Sequence, residues 1–155
     1  MERQRMQPWS QTEEFSLREA RFDPRGWPLF GGDERVIGEL EELIVDVAAG
    51  KVRYAAIRMA LWDEWLETRP FRLLPIGLLR LDISEERVWL DGFTREDVIG
   101  FPAYDGEEVH PDLEGSIRHG LLGDNLEVGE GFYESPLYRN EGLRLRRQHR
   151  IDSRI

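Results

Sequence analysis

The chain has 155 residues, a net charge of -10 at pH 7 and no cysteine. This length fits one domain with terminal segments, and the lack of cysteine excludes disulfides, thiolate metal ligands and a cysteine nucleophile. The excess of negative charge argues against direct binding to nucleic acid, because phosphates require a basic face.

The charge is distributed unevenly along the chain. Residues 142–155 carry five arginines against one aspartate, a net charge of +4, which leaves -14 on the remainder. Such a basic tail on an acidic body predicts contact with anionic lipid headgroups or with a partner. We take Arg144, Arg146 and Arg147 as candidate contacts of this tail.

The apolar runs are too short for a membrane span, which needs about 20 residues. The richest run, residues 73–79, contains Pro75 and Gly77, and the N-terminal residues do not resemble a signal peptide. We therefore expect a cytoplasmic protein that acts on any membrane from the water side.

Residues 1–22 are polar with scattered aromatic residues and predict an N-terminal arm. One interpretation is a partly ordered segment that lies on the domain. The other is a partner-binding arm anchored by Trp9 and Phe15, because aromatic residues dominate interface energetics.

The next segments read as β-strands separated by turns. Residues 23–30 form a rigid extended opening between two prolines, and two glycines in residues 31–34 indicate a turn. Residues 36–47 read as a long strand with a bulge at Glu41 and Glu42, although their spacing also tolerates a helix. A hairpin turn over residues 48–51 leads into a strand from Val52, whose alternation would place Val52 and Tyr54 on one face.

Residues 60–70 predict a loop or a short helical turn that joins two strands. Trp62 and Trp65 would share one side of that turn. They either cap the end of the domain or form an exposed aromatic patch for a partner or a membrane interface.

The rest of the domain combines short strands with short helices. Strands are predicted over residues 71–83, with a break at Pro75, and over residues 88–90. Thr94 is a plausible N-cap of a short helix, and a second helix is predicted within residues 112–122. From residue 123 the chain reads as loop, with aromatic pairs at 132–133 and 137–138 that could dock on the domain. The predicted fold is mainly β: a small closed barrel with one or two short helices and extended terminal arms.

No catalytic constellation is found. The three histidines have no metal-ligand spacing, no serine lies in a nucleophile elbow, and no phosphate-binding glycine loop is present. The paired acidic residues fit a solvated face, since 31 acidic residues make chance pairs common. We therefore predict a protein that is not an enzyme and binds no metal.

Over roughly residues 23–118, the sequence resembles the PRC-barrel family, the small β-barrel of the cytoplasmic part of the photosynthetic reaction-centre H subunit and of stand-alone bacterial proteins. The resemblance is carried by motifs in a specific order: Asp23-Pro24-Arg25-Gly26-Trp27-Pro28, Gly38 to Asp46, Arg53-Tyr54, Leu73-Leu74-Pro75 and Phe101-Pro102-Ala103-Tyr104. It implies an N-terminal arm (1–22), a barrel domain with short C-terminal helices (23–122) and an extended basic tail (123–155).

The H-subunit branch of the family implies a scaffold, not an enzyme. There the barrel caps the cytoplasmic face of the membrane subunits, shields the secondary quinone, and its surface carboxylates assist proton delivery. The carboxylates that would take this role here are Glu39, Glu41, Glu42, Asp46 and Glu114. Quinone and bacteriochlorophyll would be held by the partner subunits, and the chain would sit peripherally on the cytoplasmic face of the inner membrane.

This chain departs from the H subunit in lacking its N-terminal transmembrane helix, so a separate anchor polypeptide, or the arm and tail, would have to hold it at the membrane. The alternative branch is a soluble stand-alone adaptor. A ribosome-maturation factor also carries this barrel, but it pairs the barrel with another domain that this sequence does not show.

Overall fold

The computed structural model describes residues 5–12, 14–17, 22–60 and 67–147. Trp62 and Trp65 lie outside the described residues, so both interpretations of them stand. The described strands are β1 (Met6–Pro8), β2 (Phe15–Leu17), β3 (Pro28–Gly31), β4 (Val36–Asp46), β5 (Lys51–Met59), β6 (Phe71–Pro75), β7 (Arg80–Asp82), β8 (Arg87–Leu90), β9 (Ala103–Tyr104) and β10 (Leu145–Arg147).

Eight of these strands form one sheet, so the prediction of a mainly β fold is confirmed. The strand order is β7-β8-β3-β4-β5-β6-β9, and β1 also pairs with β4. The pairing is antiparallel except between β3 and β8, which are parallel. The remaining two strands, β2 and β10, form a separate antiparallel pair. The central strand β4 therefore organises the sheet, with β3 and β1 along one edge and β5 along the other.

The pairing of β4 with β5 is interrupted twice. Between Leu40 and Glu42 one extra residue of β4 is inserted, which confirms the predicted bulge. A second shift between Ile44 and Val45 inserts Arg53 on β5. This second bulge reverses the alternation of β5, so Val52 joins the opposite face from Tyr54. The prediction that Val52 and Tyr54 share a face is therefore wrong.

Both faces of the sheet are buried. The larger cluster joins apolar residues of β3, β4, β5, β6 and β8, among them Leu29, Leu40, Ile57, Leu74 and Val88. The second cluster lies on the other face, around Ile44, Tyr54 and Leu73 of the sheet and Ile117 and Phe132 from the segments that cover it. Burial on both faces explains why β5 reads as an almost continuous apolar run.

Two α-helices follow the last long strand. Helix α1 (Arg95–Ile99) has the predicted capping box, in which Thr94 and Asp97 satisfy each other's backbone N–H groups. Helix α2 (Pro111–Leu122) matches the second predicted helix, and it ends at Gly123 in the left-handed region. Its buried side packs Ile117 into the second cluster.

Residues 123–147, which the sequence groups with the tail, lie against the domain through 3₁₀ helices at Phe132–Glu134, Pro136–Tyr138 and Glu141–Leu143. The aromatic residues predicted to dock do so, since Phe132 and Tyr138 are buried. The C-terminal segment packs closely against Gly77, since a Cβ on this glycine would lie 2.1 Å from the Pro136 carbonyl oxygen. The N-terminal residues likewise contribute β1 to the sheet, and β2 pairs with β10.

Candidate functional site

The predicted carboxylates of β4 differ in exposure. Glu39 and Glu41 are exposed, and Glu42 is half-buried. Glu41 pairs with Arg58 at 3.3 Å, and Glu42 lies 3.7 Å from Arg25. These carboxylates are therefore available at the surface, and the bulge brings two of them side by side.

Asp46 is not a surface carboxylate, because only 7% of the residue is exposed. Its Oδ2 lies 3.2 Å from the guanidinium of Arg53, and its Oδ1 accepts a hydrogen bond from the Ala49 amide. Asp46 therefore stabilises the β4–β5 hairpin turn. The prediction that it belongs to an acidic surface is corrected accordingly.

Glu114 departs furthest from the sequence prediction, since its exposure is 0%. The Tyr54 hydroxyl donates to its Oε1 at 2.9 Å, the Tyr133 hydroxyl donates at 2.5 Å, and Arg5 forms a salt bridge with Oε2. Glu114 lies on the buried side of helix α2, which packs against the second cluster. Glu114 is thus the centre of a buried polar network and not a surface group.

The network continues through a third tyrosine. The hydroxyls of Tyr54 and Tyr138 lie 3.0 Å apart, and Arg5 also donates to the Tyr133 hydroxyl at 2.8 Å. Burial, followed by the Glu114 carboxylate, raises the pKa of Tyr54 well above its usual value. Burial likewise raises the pKa of Tyr138 to about 12. Four separate segments of the chain therefore meet at one carboxylate.

The two predicted aromatic anchors of the arm are used within the chain. Phe15 is 5% exposed and packs with Val45 and Val47, so its ring is not offered to a partner in this conformation. Trp9 is half-buried; its Nε1 donates to the Phe15 carbonyl at 3.0 Å, and the guanidinium of Arg25 lies 4.3 Å from its ring centre.

The described cations of the tail reach the surface. Arg144 pairs with Glu141 at 2.5 Å, and Arg146 and Arg147 are exposed on β10. Arg147 also lies over the Phe15 ring at 5.4 Å. The start of the basic tail is therefore held beside the N-terminal arm.

An acidic segment was missed by the motif search. Residues 96–117 contain seven carboxylates and no lysine or arginine. All but Glu114 are exposed: Glu96, Asp97, Asp105, Glu107, Glu108 and Asp112. A running count of charge along the sequence would have found it, whereas the separate acidic pairs read as an ordinary solvated face.

In the part of the chain that the structure describes, no group of three or more acidic or histidine side chains could hold a metal ion. None of the described helices is long and apolar enough to cross a membrane.

A small, mainly β domain with a packed polar network and an acidic surface defines a class of compact β-structured binding domains. The family comparison is more specific: residues 18–97, just over half of the chain, match the PRC-barrel domain. The chain belongs to the PRC-barrel family. No curated protein matches it. Membership of this family indicates an interaction module.

Proposed function

We propose that this chain is a non-enzymatic docking subunit that caps the cytoplasmic face of a membrane complex, a photosynthetic reaction centre, as the H subunit does. The observation that carries the proposal is the number of exposed carboxylates on a chain of the PRC-barrel family: Glu39 and Glu41 on β4 and the exposed carboxylates of residues 96–112. Cytoplasmic loops of membrane proteins are enriched in lysine and arginine. An acidic face is therefore complementary to them.

The paired termini carry exposed positive charge. Exposed Arg146 and Arg147 lie on β10, which pairs with β2 of the N-terminal arm. Each basic residue near an anionic membrane surface contributes about 1 kcal/mol of attraction. The basic tail would thus contact lipid headgroups while the acidic surface contacts the loops of the membrane protein.

We also propose that carboxylates of this chain deliver protons toward the partner's quinone. Glu39 and Glu41 are exposed to water, and Glu42 is half-buried. Glu114 lies deeper and connects to hydroxyl groups through Tyr54 and Tyr138, a continuous chain of hydrogen bonds inside the domain. The quinone that receives the protons would belong to the partner, as would the bacteriochlorophyll.

The test is a pull-down of the tagged chain from native membranes in mild detergent, with an absorbance spectrum of the eluate. We expect near-infrared bacteriochlorophyll bands to elute with the chain. A variant with Glu39 and Glu41 changed to glutamine should recover less pigment, whereas changing Glu85 and Glu86 on the β7–β8 turn should not. A colourless eluate would refute the reaction-centre role and leave a stand-alone adaptor.

A further inference from the structure

The second face of the sheet has a recess beside the N-terminal residues Pro8, Ser10 and Gln11, which line it together with residues of the sheet. The recess forms a pocket of about 240 Å³, lined among others by Glu41, Glu42, Ala56, Phe71 and Tyr104. Pockets for small-molecule ligands typically measure about 300–1,000 Å³. This pocket is therefore of a size for a single long side chain.

Strand register explains why the pocket exists. Glu42, Ala56 and Leu73 face one another across β4, β5 and β6. Alanine in the middle of this row leaves a hollow between two larger residues. The paired residues Phe71 and Tyr104 form an aromatic wall, with ring centres 6.5 Å apart. The opposite rim carries Glu41 and Glu42, which the β4 bulge places next to each other.

The wall carries a negative potential. Burial, followed by the charges of Asp105, Glu42 and Glu107, raises the pKa of Tyr104 to about 12. An apolar floor, an aromatic wall and neighbouring carboxylates suit a side chain with an aliphatic stem and a cationic head. Neutral or acidic side chains would lose this complementarity.

A cation of the chain itself, Arg58, already contacts the aromatic wall and one of the carboxylates. The guanidinium of Arg58 lies 4.7 Å from the Phe71 ring centre and pairs with Glu41. Arg58 is not part of the pocket lining. Glu42 lies 3.7 Å from Arg25 and accepts a hydrogen bond from the Leu43 amide, both through Oε1. Its Oε2 makes no hydrogen bond within the described part of the chain.

We infer that this pocket receives a lysine or arginine side chain from a basic segment of a partner polypeptide. The inference rests on the proposed function, because it identifies how a docking subunit recognises a basic loop. The occupant is a partner segment because the charge of the pocket is complementary to such a loop.

The inference is tested with the purified chain and no membrane. Fluorescence anisotropy measures binding of a labelled peptide that contains lysine and arginine, and of a matched peptide with glutamine at those positions. We expect the basic peptide to bind, and E41Q/E42Q to weaken its binding about tenfold, because charges at a partly desolvated site couple more strongly than exposed ones. Phe71→Leu should weaken it about threefold through loss of the cation–π contact.

The matched control is E85Q/E86Q, which removes the same charge from the β7–β8 turn. Strand β3 separates β8 from β4, roughly 10 Å of sheet, which exceeds the Debye length of about 8 Å at physiological salt. The control should change the affinity by less than about twofold. Thermal unfolding of each variant confirms that the fold is retained.

Equal binding of the basic and glutamine peptides would overturn the inference, and so would an equal loss of affinity in the pocket and control variants. A third contradicting result is self-association of the chain that disappears when Arg144, Arg146 and Arg147 become glutamine. The last result would assign the pocket to the tail of a second copy. If the basic peptide binds as expected but the pull-down yields no pigment, the pocket inference is supported and the reaction-centre role is refuted. The reverse outcome refutes only the pocket.

Discussion

The salt bridge between Arg5 and Glu114 gives the sharpest test of how the N-terminal arm is held. Glu114 is fully buried, whereas the side chain of Arg5 is 36% exposed. Removing one member of a buried ion pair costs about 3–5 kcal/mol, because the other charge stays buried without a partner. Partial exposure of Arg5 lowers the expected cost of Arg5→Met to about 2–3 kcal/mol.

The charge effect is separated from lost packing by a double-mutant cycle with Glu114→Gln. Glutamine can still accept the tyrosine hydrogen bonds, but it leaves no buried charge. In the Glu114→Gln background, Arg5→Met should therefore cost under about 1 kcal/mol. The cycle then gives a coupling of at least about 1 kcal/mol, outside the additivity of about 0.5 kcal/mol expected for independent sites.

The assay is urea unfolding followed by tryptophan fluorescence, with the free energy of unfolding obtained by linear extrapolation. Arg80→Met is the control, since Arg80 and Asp91 form an exposed pair and such pairs contribute about 0–1 kcal/mol. Additive effects of Arg5→Met and Glu114→Gln, within about 0.5 kcal/mol, would refute the argument that Arg5 neutralises the buried carboxylate.

Three further predictions concern the tyrosines, Gly38 of β4, and the tryptophans Trp62 and Trp65. All four tyrosines have a raised pKa, chiefly through burial, so their contribution to stability is complete below about pH 10 and is lost as the pH rises above it. Spectrophotometric titration should then show phenolate forming together with alkaline unfolding, and ionisation of any tyrosine near pH 10 in the folded state would contradict this. Gly38→Ala should destabilise the chain by about 3 kcal/mol in the urea assay, because its Cβ would lie 2.1 Å from the Arg58 carbonyl oxygen; a change below about 1 kcal/mol would show that the strands can separate. Changing Trp62 and Trp65 to alanine should reduce pigment recovery in the pull-down without unfolding the chain, and a lower thermal midpoint instead would identify them as core.

Features governed by neighbouring residues were predictable from the sequence. The hairpin after Asp46, the break at Pro75 and the capping box of Thr94 each depend on the conformational preference of a few adjacent residues. The bulge at Glu41 could be predicted because two adjacent acidic residues interrupt the apolar residues of the segment. The mainly β class followed from these signals together.

Features that depend on distant residues were not predictable in this way. Arg53 is inserted as a bulge only because of its register against β4, and that insertion turns Val52 to the opposite face. In the sequence, Glu114 is one acidic residue in an acidic segment, with nothing to distinguish it from its exposed neighbours. Its partner Arg5 lies 109 positions away.

The sequence by itself determined the β class, the turns, the caps and the charge of the surface, because these arise from local backbone preference and composition. Tertiary structure decided which carboxylates face water. Burial of Asp46 and Glu114 requires an arginine, and for Glu114 two tyrosines, brought from other segments to offset the loss of hydration. The pocket beside Ala56 also depends on tertiary structure, because its lining combines residues of the sheet with residues of the N-terminal segment.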